Sequence, residues 1–191
     1  MKDKIKKLRE QTGAGIVDCQ KALKEADSYE EAVELLRKKG KEIVDKKSGR
    51  KTNEGVVEAY IHANRKVGSL LEINCETDFV AKNAQFIELA HDLAMQVAAT
   101  DPAYLTEEDV PQEVINKEKE VIRDQLANEK KPKEVMEKII EGKMKKYYSQ
   151  NCLLKQTFIK DEDKTVEDLV NEAISKLGEN IKINNFVRYS L

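Results

Sequence analysis

GVVEAYIHANRKVGSLLEINCETDFVAKNAQFIELAHDLAMQVAAT, residues 55–100, carries two hydrophobic periods in succession. The first half alternates apolar and polar residues around HANRK, the pattern of two strands joined by a hairpin turn. Val57, Ala59 and Ile61 share one face of the first strand, and Leu71 and Ile73 share one face of the second. In the second half Phe86, Leu89, Ala90, Leu93, Ala94 and Val97 recur at helical spacing, which predicts a long amphipathic helix. Between the two lies CETDFVAKN, a strand-to-helix junction anchored at both ends. Thr77 is placed to cap the helix, and Asp78 in its first turn suits the helix dipole. Phe79 falls outside the inward stripe. Its position is equally consistent with a ring that closes the end of the core and with an aromatic presented beside a carboxylate to wedge into a partner.

Outward from this stretch, the N-terminal forty residues predict three short helices. Ile5 and Leu8 form a stub of apolar face, interrupted by TGAG at residues 12–15. A second helix follows, with Asp18 as its expected N-cap and Ala22, Leu23 and Ala26 inward. Ser28 and Glu31 have capping-box spacing and open a third, with Ala32, Val33 and Leu36 on one side and Gly40 at its end. Residues 41–53 hold almost nothing apolar beyond Ile43 and Val44, so they form a solvated helix or linker. This divides the chain into a helical module with its linker, residues 1–53, and a core, residues 54–191. Beyond Asp101-Pro102, helices are expected near residues 113–126 and 133–148, the latter opened by Pro132. Thr165 and Asp168 cap one more, with Leu169, Ala173, Ile174 and Leu177 inward and Gly178 closing it. The tail IKINNFVRYSL favours a third strand. The expected fold class is α+β, a small three-stranded antiparallel sheet with helices on one side.

The totals narrow the chemistry. With 34 bases against 36 acids, the chain lacks the basic excess that phosphate contacts demand, so nucleic acid is not expected as a direct partner. Cys19, Cys75 and Cys152 are too sparse for a disulfide framework or metal-ligand spacing, and they imply reduced thiols in the cytosol. The basic N-terminus has no apolar core of a signal peptide, and no run reaches membrane-spanning length; a cytoplasmic protein without a membrane partner is expected. His62, in the hairpin, and His91, on the polar side of the long helix, have no acid, thiol or hydroxyl at a catalytic motif spacing. No catalytic residue, cofactor site or metal site is expected. TGAGIVDC lacks both a preceding strand and the Gly-Lys-Ser/Thr ending of a phosphate loop, so its glycines mark a helix corner instead. At that corner Ile16 and Val17 either plug a small core or form an exposed knob, and spacing alone favours the core.

Ordered segments then carry a resemblance. KKLREQTGAGIVDCQKALKEA, NCETDFVAKNAQF, AMQVAATDPAYL, KPKEVMEKIIEGKMKKYY and LLKQTFIKD together resemble elongation factor Ts, the exchange factor for elongation factor Tu, along nearly the whole chain. The length resembles the family's short form, with one core after the N-terminal module. Ile16 and Val17 stand where the family often has two methionines, Gln96 where a histidine is frequent, and Thr157 where a proline is usual.

The resemblance implies an N-terminal three-helix module of the ubiquitin-associated type, docking on the GTPase's nucleotide domain through Ile16 and Val17. It implies that Thr77, Asp78, Phe79 and Val80 form the exchange segment. Asp78 would disturb the waters around the partner's magnesium, and Phe79 would prise apart packing beneath its phosphate loop. The later helices and the end of the core would hold a second domain of the GTPase. A homodimer is expected, because a small sheet leaves a face or edges to cover and a short chain supplies one core where long members supply two. An adaptor or chaperone-like module without exchange activity is the alternative, with an enzyme further behind. Labelled-GDP release from elongation factor Tu separates them.

Overall fold

In the computed structural model, which describes residues 2–126 and 132–191, the chain is mixed helix and sheet, with eight α-helices and a three-stranded antiparallel sheet among the described residues. Three helices come first: α1 (Lys2–Thr12), α2 (Ile16–Glu25) and α3 (Tyr29–Lys47). They enclose a small core of Leu8, Cys19, Ala22, Ala32, Val33 and Leu36. Gly13 turns the corner between α1 and α2 with φ +66°, a conformation in which glycine is unstrained.

Three expectations for this region are corrected. Gly15, not Asp18, occupies the N-cap of α2, and the Asp18 carboxylate instead accepts a hydrogen bond from Lys39 at 2.6 Å. Gly40 does not end α3, which runs a further seven residues to Lys47. The helix passes Gly40 because tertiary packing outweighs the ~1 kcal/mol helix penalty of glycine. A Cβ at Gly40 would lie 3.4 Å from Ser175 Oγ on α8 (Val166–Leu177). Val44 packs against the main core, and the Lys47 ammonium donates to the Gly178 carbonyl. Ser28 caps α3 by accepting from the Glu31 N–H at 3.0 Å, but the Glu31 carboxylate accepts from the N–H of Asp27 rather than closing the box on Ser28.

The sheet is built from β1 (Glu54–Ile61), β2 (Val67–Cys75) and β5 (Lys182–Ser190), in the order β1-β2-β5. HANRK is the hairpin turn, with Arg65 at φ 57° and the His62 N–H bonded to the Val67 carbonyl. On the inner face Val56 opposes Ile73, Glu58 opposes Leu71 and Tyr60 opposes Ser69. α5 (Ala84–Thr100) lies across this face, and its stripe from Phe86 to Val97 is buried as the periodicity requires. Val57, Ala59 and Ile61 do share a face, but it is the outer one, and all three are exposed. They stand beside Leu70, Val187 and Tyr189, so the side of the sheet away from α5 is apolar and open.

α5 ends at Asp101 in the left-handed conformation, just before Pro102. α6 (Gln112–Leu126) and α7 (Lys133–Asn151) pack side by side through Ile122, Leu126, Ile140 and Met144, a core of their own. α7 leads through a single 3₁₀ turn to β3 (Thr157–Phe158) and β4 (Asp161–Thr165), a small hairpin not foreseen from sequence. α8 opens with the Thr165–Asp168 capping box and closes at Gly178 with φ 77°.

Gln96, on α5, is fully buried and holds that hairpin. Its amide donates to Gln156 Oε1 at 3.2 Å and to the Thr157 carbonyl at 3.1 Å, and its oxygen accepts from the Ile159 N–H at 2.9 Å. A turn without the ring of a proline at position 157 is thus fixed by a side chain from another helix. Gln96→Leu should destabilise the protein by about 1–3 kcal/mol in denaturant unfolding, because three hydrogen bonds to the hairpin are lost, one of them to the buried Gln156.

Candidate functional site

The junction after β2 is held from inside, while Phe79 on it points out. Cys75 ends the strand fully buried, and its thiol contacts the Thr77 carbonyl at 3.2 Å. A single helical turn, α4 (Asp78–Ala81), follows. Ala81 is buried and Val80 packs against the main core, so the turn is seated on one side. Phe79 is on the other side and 81% exposed. Of the two positions open to it from sequence, the ring occupies the presented one.

Asp78 sits beside it. Its carboxylate accepts from Lys82 at 2.7 Å, and that hydrogen bond and charge hold the Asp78 carboxyl below its ordinary range. It is therefore an anion at neutral pH. Thr77 holds the N-cap position of this short turn, but its side chain makes no cap bond, and Asn83 rather than Thr77 caps the long helix α5. The Thr77 hydroxyl donates instead to Glu179 Oε1 at 2.6 Å, while Glu179 Oε2 accepts the N–H groups of Glu76 at 3.1 Å and Thr77 at 3.0 Å. The bonding is reciprocal, because Glu76 Oε1 accepts the Asn180 N–H at 2.7 Å. That bond lowers the Glu76 pKa, with further help from Arg50, which lies 3.4 Å from Oε2.

Glu179 and Asn180, between α8 and β5, went unnoticed in the sequence. Their partners lie more than a hundred residues away, and no local period marks such a contact. The only local sign is Gly178, whose positive φ turns the chain so that the next two residues leave the helix axis.

The other predicted pair lies in the first turn of α2. Ile16 is 52% and Val17 61% exposed, while Cys19 and Ala22 take the inward positions. The core placement that spacing favoured is corrected: Cys19 and Ala22, three residues apart, hold the inward face of α2, and these smaller side chains fit the three-helix core. Thr77 to Val80 are together on one junction; Ile16 and Val17 are on α2.

The remaining reactive groups are engaged elsewhere. Burial pushes the Cys75 and Cys152 thiols up to about 11 and raises Cys19 as well, which keeps them protonated and poorly nucleophilic at neutral pH. His91 Nδ1 lies 3.1 Å from Glu58, and His62 Nδ1 lies 3.1 Å from the Tyr60 hydroxyl. A rigidly mounted ring and an adjacent anion, both facing solvent, can enter a second protein's surface. They do not enclose a small substrate.

The sequence model of the family described as elongation factor TS matches residues 3–191. Among similar proteins, elongation factor Ts of Thermotoga petrophila is 57% identical over 190 residues, covering 99% of this chain and 94% of that one. Elongation factor Ts of Moorella thermoacetica is 56% identical over 188 residues, covering 98% and 93%. The corresponding protein of Thermosipho melanesiensis is 52% identical over 188 residues, covering 98% and 96%.

Proposed function

The chain belongs to the elongation factor Ts family of translation elongation factors, and from that premise we propose that it binds elongation factor Tu loaded with GDP and drives the nucleotide off. The observation that carries this reading is Phe79, a large aromatic 81% exposed on a turn that is seated on the core through Val80 and Ala81. Exposing a ring in this way forgoes roughly 2–3 kcal/mol of burial, which a partner's surface recovers. Asp78 enters with it as an anion and disturbs the water around the partner's magnesium, while the ring loosens packing under the phosphate loop. Thr77 and Val80 complete the segment, and Ile16 and Val17 dock a ubiquitin-associated-like module on the nucleotide domain. The protein acts by binding, in the cytoplasm, without a cofactor of its own and without contacting nucleic acid.

This is negative coupling between two ligands of one GTPase. If the factor weakens GDP, GDP weakens the factor by the same free energy. Titration of elongation factor Tu with this protein should therefore give a much tighter complex without nucleotide than with saturating GDP. Equal affinities in the two conditions would remove exchange from the account.

The functional unit is a homodimer joined through the outer face of the sheet. Val57, Ile61, Leu70, Val187 and Tyr189 are all exposed there on adjacent strands, and a contiguous exposed apolar patch marks an interaction site. Light scattering at micromolar concentration should give a mass near twice the 21.8 kDa of one chain, and Leu70→Asp, a charge at the middle of that face, should halve it without unfolding the protein. A wild-type monomer with full exchange activity would contradict the dimer.

A further inference from the structure

We infer that Glu179 is a positioning residue for exchange: through its bonds to residues 76 and 77 it fixes the direction in which Asp78 and Phe79 leave the core. The inference rests on the exchange role proposed for that pair and adds to it a residue that acts through them.

The turn that carries Phe79 is only four residues long, too short to hold its own orientation by helical hydrogen bonds. The usual side-chain cap is missing, because the Thr77 hydroxyl is turned away from the helix. In its place one carboxylate accepts three hydrogen bonds, from the N–H groups of Glu76 and Thr77 and from the Thr77 hydroxyl. Charged acceptors make bonds about twice as strong as neutral ones. Three of them on two consecutive residues leave the backbone entering Asp78 little freedom to rotate.

The anchor is itself tied down. Asn180 is buried, and its side-chain amide donates to the carbonyls of Arg50 at 2.8 Å and Ser48 at 3.3 Å. Its backbone N–H is held by Glu76. The corner at residues 179–180 therefore joins three segments: the exit from α3, the start of the presented turn, and the entry to β5. An aromatic that must act on a fixed point of the partner loses effect when its base swings, since a displacement of about 1 Å can lower a rate by two orders of magnitude.

The test compares release of fluorescent GDP from elongation factor Tu across a series of full-length variants. Each is assayed below its own melting temperature, and the maximal rate is separated from the half-saturating concentration. Glu179→Ala should lower the maximal rate about ten-fold or more and leave half-saturation within about two-fold of wild type, because docking elsewhere is intact. Glu179→Gln should recover most of the rate, since its amide oxygen still accepts from both N–H groups. Glu179→Ala combined with Phe79→Ala should be no slower than Phe79→Ala alone. A folded Glu179→Ala protein with the full maximal rate, or one altered only in half-saturation, overturns the inference, as does a Gln variant as slow as the Ala one. Should Glu179→Ala not fold, Glu179→Asp takes its place: a carboxylate one methylene shorter cannot keep all three bonds, so it should lower the maximal rate a few-fold, and a wild-type maximal rate for Glu179→Asp overturns the inference. Phe79→Ala separates the two levels. If it is slow while Glu179→Ala is normal, only the positioning role fails; if both are normal, the exchange role of the turn fails with it.

Discussion

Phe79→Ala should fold and melt close to wild type yet release GDP from elongation factor Tu roughly thirty-fold more slowly at saturating factor. The two halves of this result have separate causes. A buried phenylalanine truncated to alanine costs about 3–5 kcal/mol of stability. Phe79 is 81% exposed and has little packing to lose, so the expected stability change is within about 0.5 kcal/mol. The rate loss corresponds to about 2 kcal/mol, the lower end for an aromatic that dominates a contact. Asp78→Ala should also slow release, and less so once magnesium has been chelated, because the target of the carboxylate is then gone. The double variant should fall short of the sum of the two, as groups acting on one site do. A Phe79→Ala protein that melts far below wild type and exchanges normally while folded would return the ring to a packing role.

Ile16→Asp with Val17→Asp should give the complementary pattern. Both side chains are more than half exposed, so charges there leave the three-helix core of Leu8, Cys19 and Ala22 undisturbed. An apolar docking contact should nonetheless lose about 2 kcal/mol or more, raising the half-saturating concentration some thirty-fold, chiefly through faster dissociation. The maximal rate should stay near wild type. Docking variants thus move one kinetic parameter and wedge variants the other. A double variant with unchanged half-saturation would show that α2 is not the docking element.

The contrast between these two sites and the rest of the chain marks what sequence reasoning can reach. The stripe from Phe86 to Val97 is legible because a helix that covers a sheet must be apolar on one side, and that alone places α5. β1 was legible as a strand but not as to its facing. It carries apolar residues on both faces, Val56 and Tyr60 inward and Val57 and Ile61 outward, so alternation cannot choose. The continuation of α3 past Gly40 was hidden because it depends on α8, more than a hundred residues later. β3 and β4 escaped notice since β4, the sequence DEDKT, has a single strand-favouring residue, Thr165; its geometry follows from Gln96 and from the cap of α8.

At the site itself, Phe79 stood out by failing to fit the periodic stripe, and the resemblance gave that failure, and the Asp78 beside it, a meaning. Glu179 gave no such signal. A glutamate after a helix-ending glycine is ordinary in sequence, and only the fold brings it against residues 76 and 77. The outer face of the sheet was anticipated in kind, as a surface needing cover, but not in its residues.

The most direct measurement is the release of labelled GDP from elongation factor Tu with and without substoichiometric amounts of this protein. Release should accelerate strongly, with each factor molecule discharging many GTPases in turn while excess unlabelled GTP rebinds. A protein that binds elongation factor Tu but leaves the release rate unchanged would be an adaptor, and the account of Asp78 and Phe79 as an exchange wedge would be contradicted.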